Sequence, residues 1–177
     1  MCGIVGYIGK KSSNTIILKG LSRLEYRGYD SAGIAVQDNG IKQLKTAGKV
    51  IDLINECKAN NFPESQVGIG HTRWATHGVP NDLNAHPHQD KSKKFTLVHN
   101  GIIENFVSLK KYLSENGVEC ISDTDTEVLV QLIGLIYEKE KLNFEESVRF
   151  ALTKVVGAFG LAIICSDEPE KIVASKN

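Results

Sequence analysis

The chain has 177 residues, 41% of them hydrophobic and 24% charged, which suits one domain that buries a core without disulfide or metal staples. Lysine plus arginine and aspartate plus glutamate both number 21, so the formal net charge is zero. That balance argues against nucleic acid or an anionic membrane held by bulk electrostatics. No apolar run approaches the length of a membrane span and the start does not resemble a secretory signal, so the chain is read as cytoplasmic.

In chain order, Cys2 to Gly9 is β-branched and glycine-punctuated and reads as a strand. Ile17, Leu18, Leu21 and Leu24 form a helical stripe over 14–27, opened by Ser13 or Asn14 and closed by Gly28 as a left-handed stop. Ser31 to Gln37 and Ile41 to Thr46 flank Asp38-Asn39-Gly40 as a hairpin. Val50, Leu53, Ile54 and Cys57 mark a short amphipathic helix. Val67 to Arg73 is a strand with Val67, Ile69, His71 and Arg73 on one face. The polar stretch from Thr76 to Lys94 is too long for an ordinary connector and reads as functional or mobile.

Phe95 to Asn100 is a strand stopped by Gly101, and Asn105 caps a helix carrying Phe106, Leu109 and Leu113. Thr124 to Glu127 fits a capping box ahead of a long apolar helix, and another helix starts near Asn143. Ala158 to Cys165 and Lys171 to Ser175 are the last strands. Hairpin-joined strands with two helices back to back predict an α+β domain of antiparallel sheets covered by helices.

Cys2 stands directly behind the initiator methionine. Trimming of Met1 would put a free α-amine on the residue that carries the thiol. An α-amine titrates near ~8 and a thiol near ~8.5, so such an amine can take the thiol proton itself. The alternative is a cysteine packed in the core, the reading given to Cys57 and Cys165. The four cysteines, Cys120 among them, are far apart and lack a C-x-x-C, so neither a zinc site nor a disulfide is expected.

Three further clusters could carry chemistry. Arg73 beside Trp74 suits bidentate carboxylate recognition, or a structural ion pair; Trp74 suits a lid or the core. Asn100-Gly101 offers a side-chain amide beside a backbone N–H, the composition of an oxyanion hole, or a plain turn. Asp123 and Asp125 at a helix start either cap it or receive an ammonium. A substrate with an α-carboxylate and an α-ammonium would need one Arg and one Asp, and Arg73 with Asp125 could be that pair. Of the histidines at 71, 77, 86, 88 and 99, none has metal-ligand spacing, and one acting as base to Cys2 remains open.

Six blocks in order resemble the glutaminase domain of class II glutamine amidotransferases, which are N-terminal-nucleophile hydrolases. They are Cys2–Gly6, Arg27–Gly33, His71–Gly78, Asn84–His88, His99–Asn105 and Ser122–Glu127. Amidophosphoribosyltransferases share the first two, whereas Trp74, Asn84–His88 and Ile102-Ile103 favour the branch that aminates fructose 6-phosphate. The resemblance implies a four-layer αββα sandwich over residues 1–177, C-terminally incomplete and without the sugar-isomerase domains. It implies L-glutamine as substrate and a Cys2 γ-glutamyl thioester, with Asn100 and Gly101 as oxyanion hole. Arg73 would hold the substrate carboxylate and Asp125 its ammonium, with Trp74, Thr76 and His77 lining the pocket. No cofactor or metal is implied. A sugar phosphate would be the acceptor of a full enzyme expected to be a homo-oligomer.

Overall fold

The computed structural model describes residues 2–74 and 79–177. Strands β1 (Gly3–Ile8), β2 (Ser31–Gln37), β3 (Ile41–Ala47) and β4 (Val67–Arg73) form one antiparallel sheet in the order β1-β4-β2-β3. Strands β5 (His88–Gln89), β6 (Phe95–Ile103), β7 (Gly157–Cys165) and β8 (Val173–Lys176) form a second, in the order β5-β6-β7-β8. Helices α1 (Ser13–Leu24) and α2 (Val50–Ala59) cover the first sheet. Helices α3 (Phe106–Glu115), α4 (Asp125–Glu140) and α5 (Phe144–Leu152) cover the second.

Strand alternation explains the layering. On β6 and β7, Phe95, Leu97, Ile103, Phe159, Leu161, Ile163 and Cys165 face the helices, while Val98, Ala162 and Ile164 face the other sheet. There they meet Ala35, Val67 and Ile69. Three apolar layers result, helix on sheet, sheet on sheet and sheet on helix, which is the αββα sandwich expected from the sequence. Helix α1 comes close because Gly68 and Gly70 of β4 offer only hydrogen toward it: a Cβ on Gly70 would lie 2.4 Å from Ile17 Cγ2. Helix α4 is buried from Asp125 through Ile136 because α3, α5 and β6 all pack on it.

Several local expectations change. The cap of α1 is Ser12, whose hydroxyl accepts from Thr15 N–H at 3.5 Å. The helix then tightens into a 3-10 turn, Glu25–Arg27, and Gly28 is extended at φ −169°, not left-handed. Gly28 is needed for space: a Cβ there would sit 2.8 Å from the Arg73 carbonyl carbon and 3.0 Å from Trp74 N. Gly101 does not stop β6, which runs on to Ile103 with Gly101 opposite Phe159. Its φ of +132° and a Cβ position 2.1 Å from Ala158 O make glycine obligatory.

Only half the capping box of α4 forms. Thr124 Oγ1 accepts from Glu127 N–H at 3.2 Å, but the Glu127 carboxylate accepts from Ile121 and Ser122 N–H instead. Asn105 precedes α3 without a side-chain cap and ties the chain near α5, donating to Lys154 O and accepting from Val156 N–H. Within the long polar stretch, Asn84 to His88 are buried, and polar partners from β3 and from the turn that opens α4 receive them. Among the described residues, no helix is long and apolar enough to cross a membrane.

Candidate active site

One end of the sandwich gathers the chemistry. Cys2 immediately precedes β1, and the pairing of Gly3 with Thr72 sets it beside the end of β4. There Trp74 N–H donates to Cys2 Sγ at 3.1 Å, and the thiol points back to Trp74 O at 3.5 Å. Strand β4 is held on its other side by β2, where Ser31 pairs with Arg73 and Asp30 N–H donates to Arg73 O at 3.1 Å. Arg73 is therefore buried on a rigid central strand. Burial lowers its guanidinium pKa, while Cys2, Asp30 and Asp125 pull it back up. An arginine remains a cation under such opposing pulls.

From the other sheet, β6 delivers Asn100 and Gly101. Asn100 Nδ2–H donates to Cys2 O at 3.1 Å, and Asn100 Oδ1 accepts from His71 Nε2 at 2.8 Å. An amide nitrogen has two hydrogens, so one remains for a ligand. From the helix layer, α4 begins with Asp125, capped by Thr124. One Asp125 oxygen accepts from Ile103 N–H at 2.8 Å. The other faces Thr126 Oγ1 at 3.4 Å and His99 Nδ1 at 4.0 Å, so α4 and β6 hold the carboxylate jointly.

Cys2, Arg73, Trp74, Asn100, Gly101 and Asp125 line one cavity of about 690 Å³. Of the site residues expected from sequence, Thr76 and His77 lie outside the described residues. Asp123 does not line this cavity; it is exposed and exchanges two hydrogen bonds with the buried amide of Asn84, at 3.1 and 3.0 Å. Trp74 is 45% exposed and meets Tyr29 edge-on at 5.5 Å, which removes the core reading. Cys57 and Cys165 are buried as expected, and the four cysteines are free thiols.

Arg27, His86, His99 and Lys176, none of them among the nominated site residues, also line the cavity. His99 could have been found, since it adjoins Asn100; Arg27 and Lys176 arrive from distant strand and helix ends. The lining carries the cations Arg27, Arg73 and Lys176 against the acid Asp125, a balance that favours a ligand with a carboxylate.

His86 and His99 of the lining belong to a cluster with His71 and His88, and all four are buried. His71 stacks on His86 at 4.2 Å, and His86 meets His88 edge-on at 5.1 Å. Burial drives all these rings toward the neutral form: His71 is lowered to about 3, and His86, His88 and His99 are lowered too. Among the described residues, Cys2 Sγ hydrogen-bonds to the Trp74 backbone and to no histidine.

A family model described as "Glutamine amidotransferase domain" matches residues 57–174, more than half of the chain. The chain belongs to the glutamine amidotransferase family. It is 53% identical over its whole length to a Bacillus subtilis protein named glutamine–fructose-6-phosphate aminotransferase [isomerizing], covering 29% of that protein. It is 48% identical to the protein of that name from Caldanaerobacter subterraneus, over 99% of this chain and 28% of the relative. The chain thus spans well under a third of these relatives' length.

Among solved structures, glutamine phosphoribosylpyrophosphate amidotransferase from B. subtilis, complexed with ADP and GMP, superposes with a TM-score of 0.83. That match covers 100% of this chain and 37% of the other, at 24% identity. A structure described as the allosteric regulatory enzyme of purine biosynthesis gives 0.80 over 94% of this chain and 36% of that one, at 25% identity. These likenesses bear out the sandwich fold, and the sequence relatives bear out the amidotransferase family.

Proposed function

We propose that this amidotransferase domain hydrolyses the side-chain amide of L-glutamine through a thioester on Cys2. The observation that carries the reading is one cavity lined by a thiol, an amide beside a glycine, an arginine and an aspartate. Once Met1 is removed, the α-amine of Cys2 takes the thiol proton and sulfur attacks the amide carbon. The resulting oxyanion accepts from Asn100 Nδ2–H and Gly101 N–H. Collapse breaks the C–N bond, and ammonia leaves with the proton held by the α-ammonium. Water, deprotonated by the same amine, then cleaves the thioester to glutamate and returns the thiol.

Arg73 holds the substrate carboxylate and Asp125 the ammonium; Trp74 closes the cavity, with Thr76 and His77 as further lining residues. The names of the relatives support fructose 6-phosphate as the ammonia acceptor of the whole enzyme, giving glucosamine 6-phosphate. A homo-oligomeric enzyme in the cytoplasm, acting without cofactor, metal, nucleic acid or membrane, completes the reading. Residues 1–177 are its glutaminase part.

Labelling with 6-diazo-5-oxo-norleucine, a glutamine-like electrophile, tests this. Burial pushes Cys57, Cys120 and Cys165 up to about 11, which leaves little reactive thiolate at neutral pH. Mass spectrometry should place the label on Cys2 alone, and Cys2→Ala should abolish both labelling and glutamate release. Label spread over the other cysteines, or none, would refute the reading. Turnover that tolerates an N-terminal extension but is eliminated by one His→Ala change would indicate a Cys–His hydrolase instead.

A further inference from the structure

Asn100 needs its amide the right way round. Nitrogen and oxygen of an asparagine amide exchange places by a half-turn about one bond, so neighbours decide which faces the reacting atom. In this protein both neighbours come from the opposite sheet. Cys2 O, in the residue just ahead of β1, can only accept, and it receives Asn100 Nδ2–H at 3.1 Å. His71 Nε2, on β4, lies 2.8 Å from Asn100 Oδ1, which can also only accept. The proton must then be on Nε2, and His71 must donate.

The rest of the His71 environment agrees with this tautomer. Nδ1 is buried and makes no hydrogen bond of good geometry among the described residues, so the Nε2–Asn100 contact is what fixes the tautomer. The ring is pinned flat against His86, 4.2 Å between centroids and 24° between planes. Burial lowers its pKa to about 3, so at neutral pH the ring carries one N–H, and that hydrogen is committed to Asn100.

We propose that His71 is a positioning residue, whose Nε2–H holds the Asn100 amide with Nδ2 turned toward Cys2 and the oxyanion. The role rests on the glutaminase reading above. His71 touches no reacting atom; it acts across the gap between the sheets, through Asn100. A flipped amide would set its oxygen against Cys2 O and would offer the oxyanion a lone pair in place of a hydrogen. The effect belongs to the step in which negative charge develops, and so to turnover rather than to glutamine binding.

The test measures glutamate release and Cys2 alkylation by iodoacetamide, which passes through no oxyanion, on the full chain. His71→Leu should lower kcat about 10²-fold, the effect of losing one oxyanion donor. KM for glutamine and the alkylation rate should stay within about threefold. His71→Gln, which keeps an N–H in reach, should recover at least about tenfold of the loss. His71→Leu added to Asn100→Ala should cost no more than about threefold, because the group it positions is already gone. Should the leucine variant not fold, His71→Met fills the slot without a donor and is read in the same way.

A folded donor-less variant with unchanged kcat, a loss carried by KM, or a glutamine variant as slow as the leucine one would each overturn the inference. An unaltered chain that releases no glutamate would instead sink the glutaminase reading.

Discussion

Two halves of the same pair of strands do opposite things. Along the face of β4 that looks into the sandwich, Val67 and Ile69 come first, then His71 and Arg73; along β6, Val98 is followed by Asn100. The first halves pack together, with Ala35 of β2 and Ala162 and Ile164 of β7, in one buried apolar cluster. The second halves meet through the His71–Asn100 hydrogen bond and open into the cavity. The apolar half sets the spacing of the sheets by packing, and that spacing brings groups of β4 and β6 within hydrogen-bond reach two residues further on. One half supplies stability that tolerates small errors in shape; the other needs particular atoms at particular distances.

Substitutions two residues apart on one face should separate these duties, and they carry the largest expected effects. Ile69→Ala removes a fully buried side chain from between the sheets and should cost about 2–5 kcal/mol of stability by denaturant unfolding. Its turnover, measured well below the melting transition, should stay within about threefold of the parent, since no polar group moves. Asn100→Ala should show the reverse, with kcat for glutamine hydrolysis down about 10²–10³-fold. Its stability cost should be no more than about 1–3 kcal/mol, for leaving the His71 donor unsatisfied. If Ile69→Ala lowered kcat as much as Asn100→Ala, the two halves would not be separable.

The polar half should also answer to acid before the apolar half does. His71 in the fold is lowered to about 3, against about 6.5 for a histidine in an unfolded chain. His86, His88 and His99 shift the same way. Between those values the unfolded chain binds protons that the folded chain does not, so stability falls as pH is lowered through about 6.5. Each fully neutral histidine steepens the fall by up to about 1.4 kcal/mol per pH unit. Thermal melts from pH 8 to pH 5 should be flat at the top of the range and drop increasingly below about 6.5. Melts that stayed level to pH 5 would mean that these rings accept protons in place.

The sequence made the apolar half of this comparison easy to see and the polar half only partly so. Strands β2, β4 and β7 and helices α4 and α5 follow from alternation, helical stripes and caps, which are local signals. The nominated residues Cys2, Arg73, Trp74, Asn100, Gly101 and Asp125 do share a cavity; Cys2, Arg73, Trp74 and Asp125 stand at or beside the ends of β1, β4 and α4, whereas Asn100 and Gly101 sit within β6. What escaped depends on contacts distant in sequence. Gly28 looked like a helix stop and is a point where two backbones touch. Gly101 looked like the end of a strand, yet the strand continues at an angle that only glycine supplies. Glu127 looked like half of a capping box, but the carboxylate finds better donors in the turn before the helix. His71 lies two residues before Arg73 on one face, yet its partner is on the other sheet, so no spacing along the chain reveals it.

The smallest expected effect concerns the third layer, which reaches the site only through the start of α4. Thr124 caps that helix through Glu127 N–H and also meets His88 Nε2 at 3.0 Å and Ser122 Oγ at 2.9 Å. Thr124→Ala should cost about 1 kcal/mol, the usual loss for a helix cap. Its functional consequence should differ in kind from that of Asn100→Ala. The residue after the cap is Asp125, whose carboxylate is placed by the first turn of α4 and by Ile103 N–H. Loosening that turn weakens the grip on a substrate ammonium equally in the ground state and the transition state. KM for glutamine should therefore rise a few-fold, by about two- to fivefold, while kcat holds. A drop in kcat with KM unchanged would mean that α4 reaches the reacting atoms by a path other than Asp125, and the division of labour among the layers would have to be redrawn.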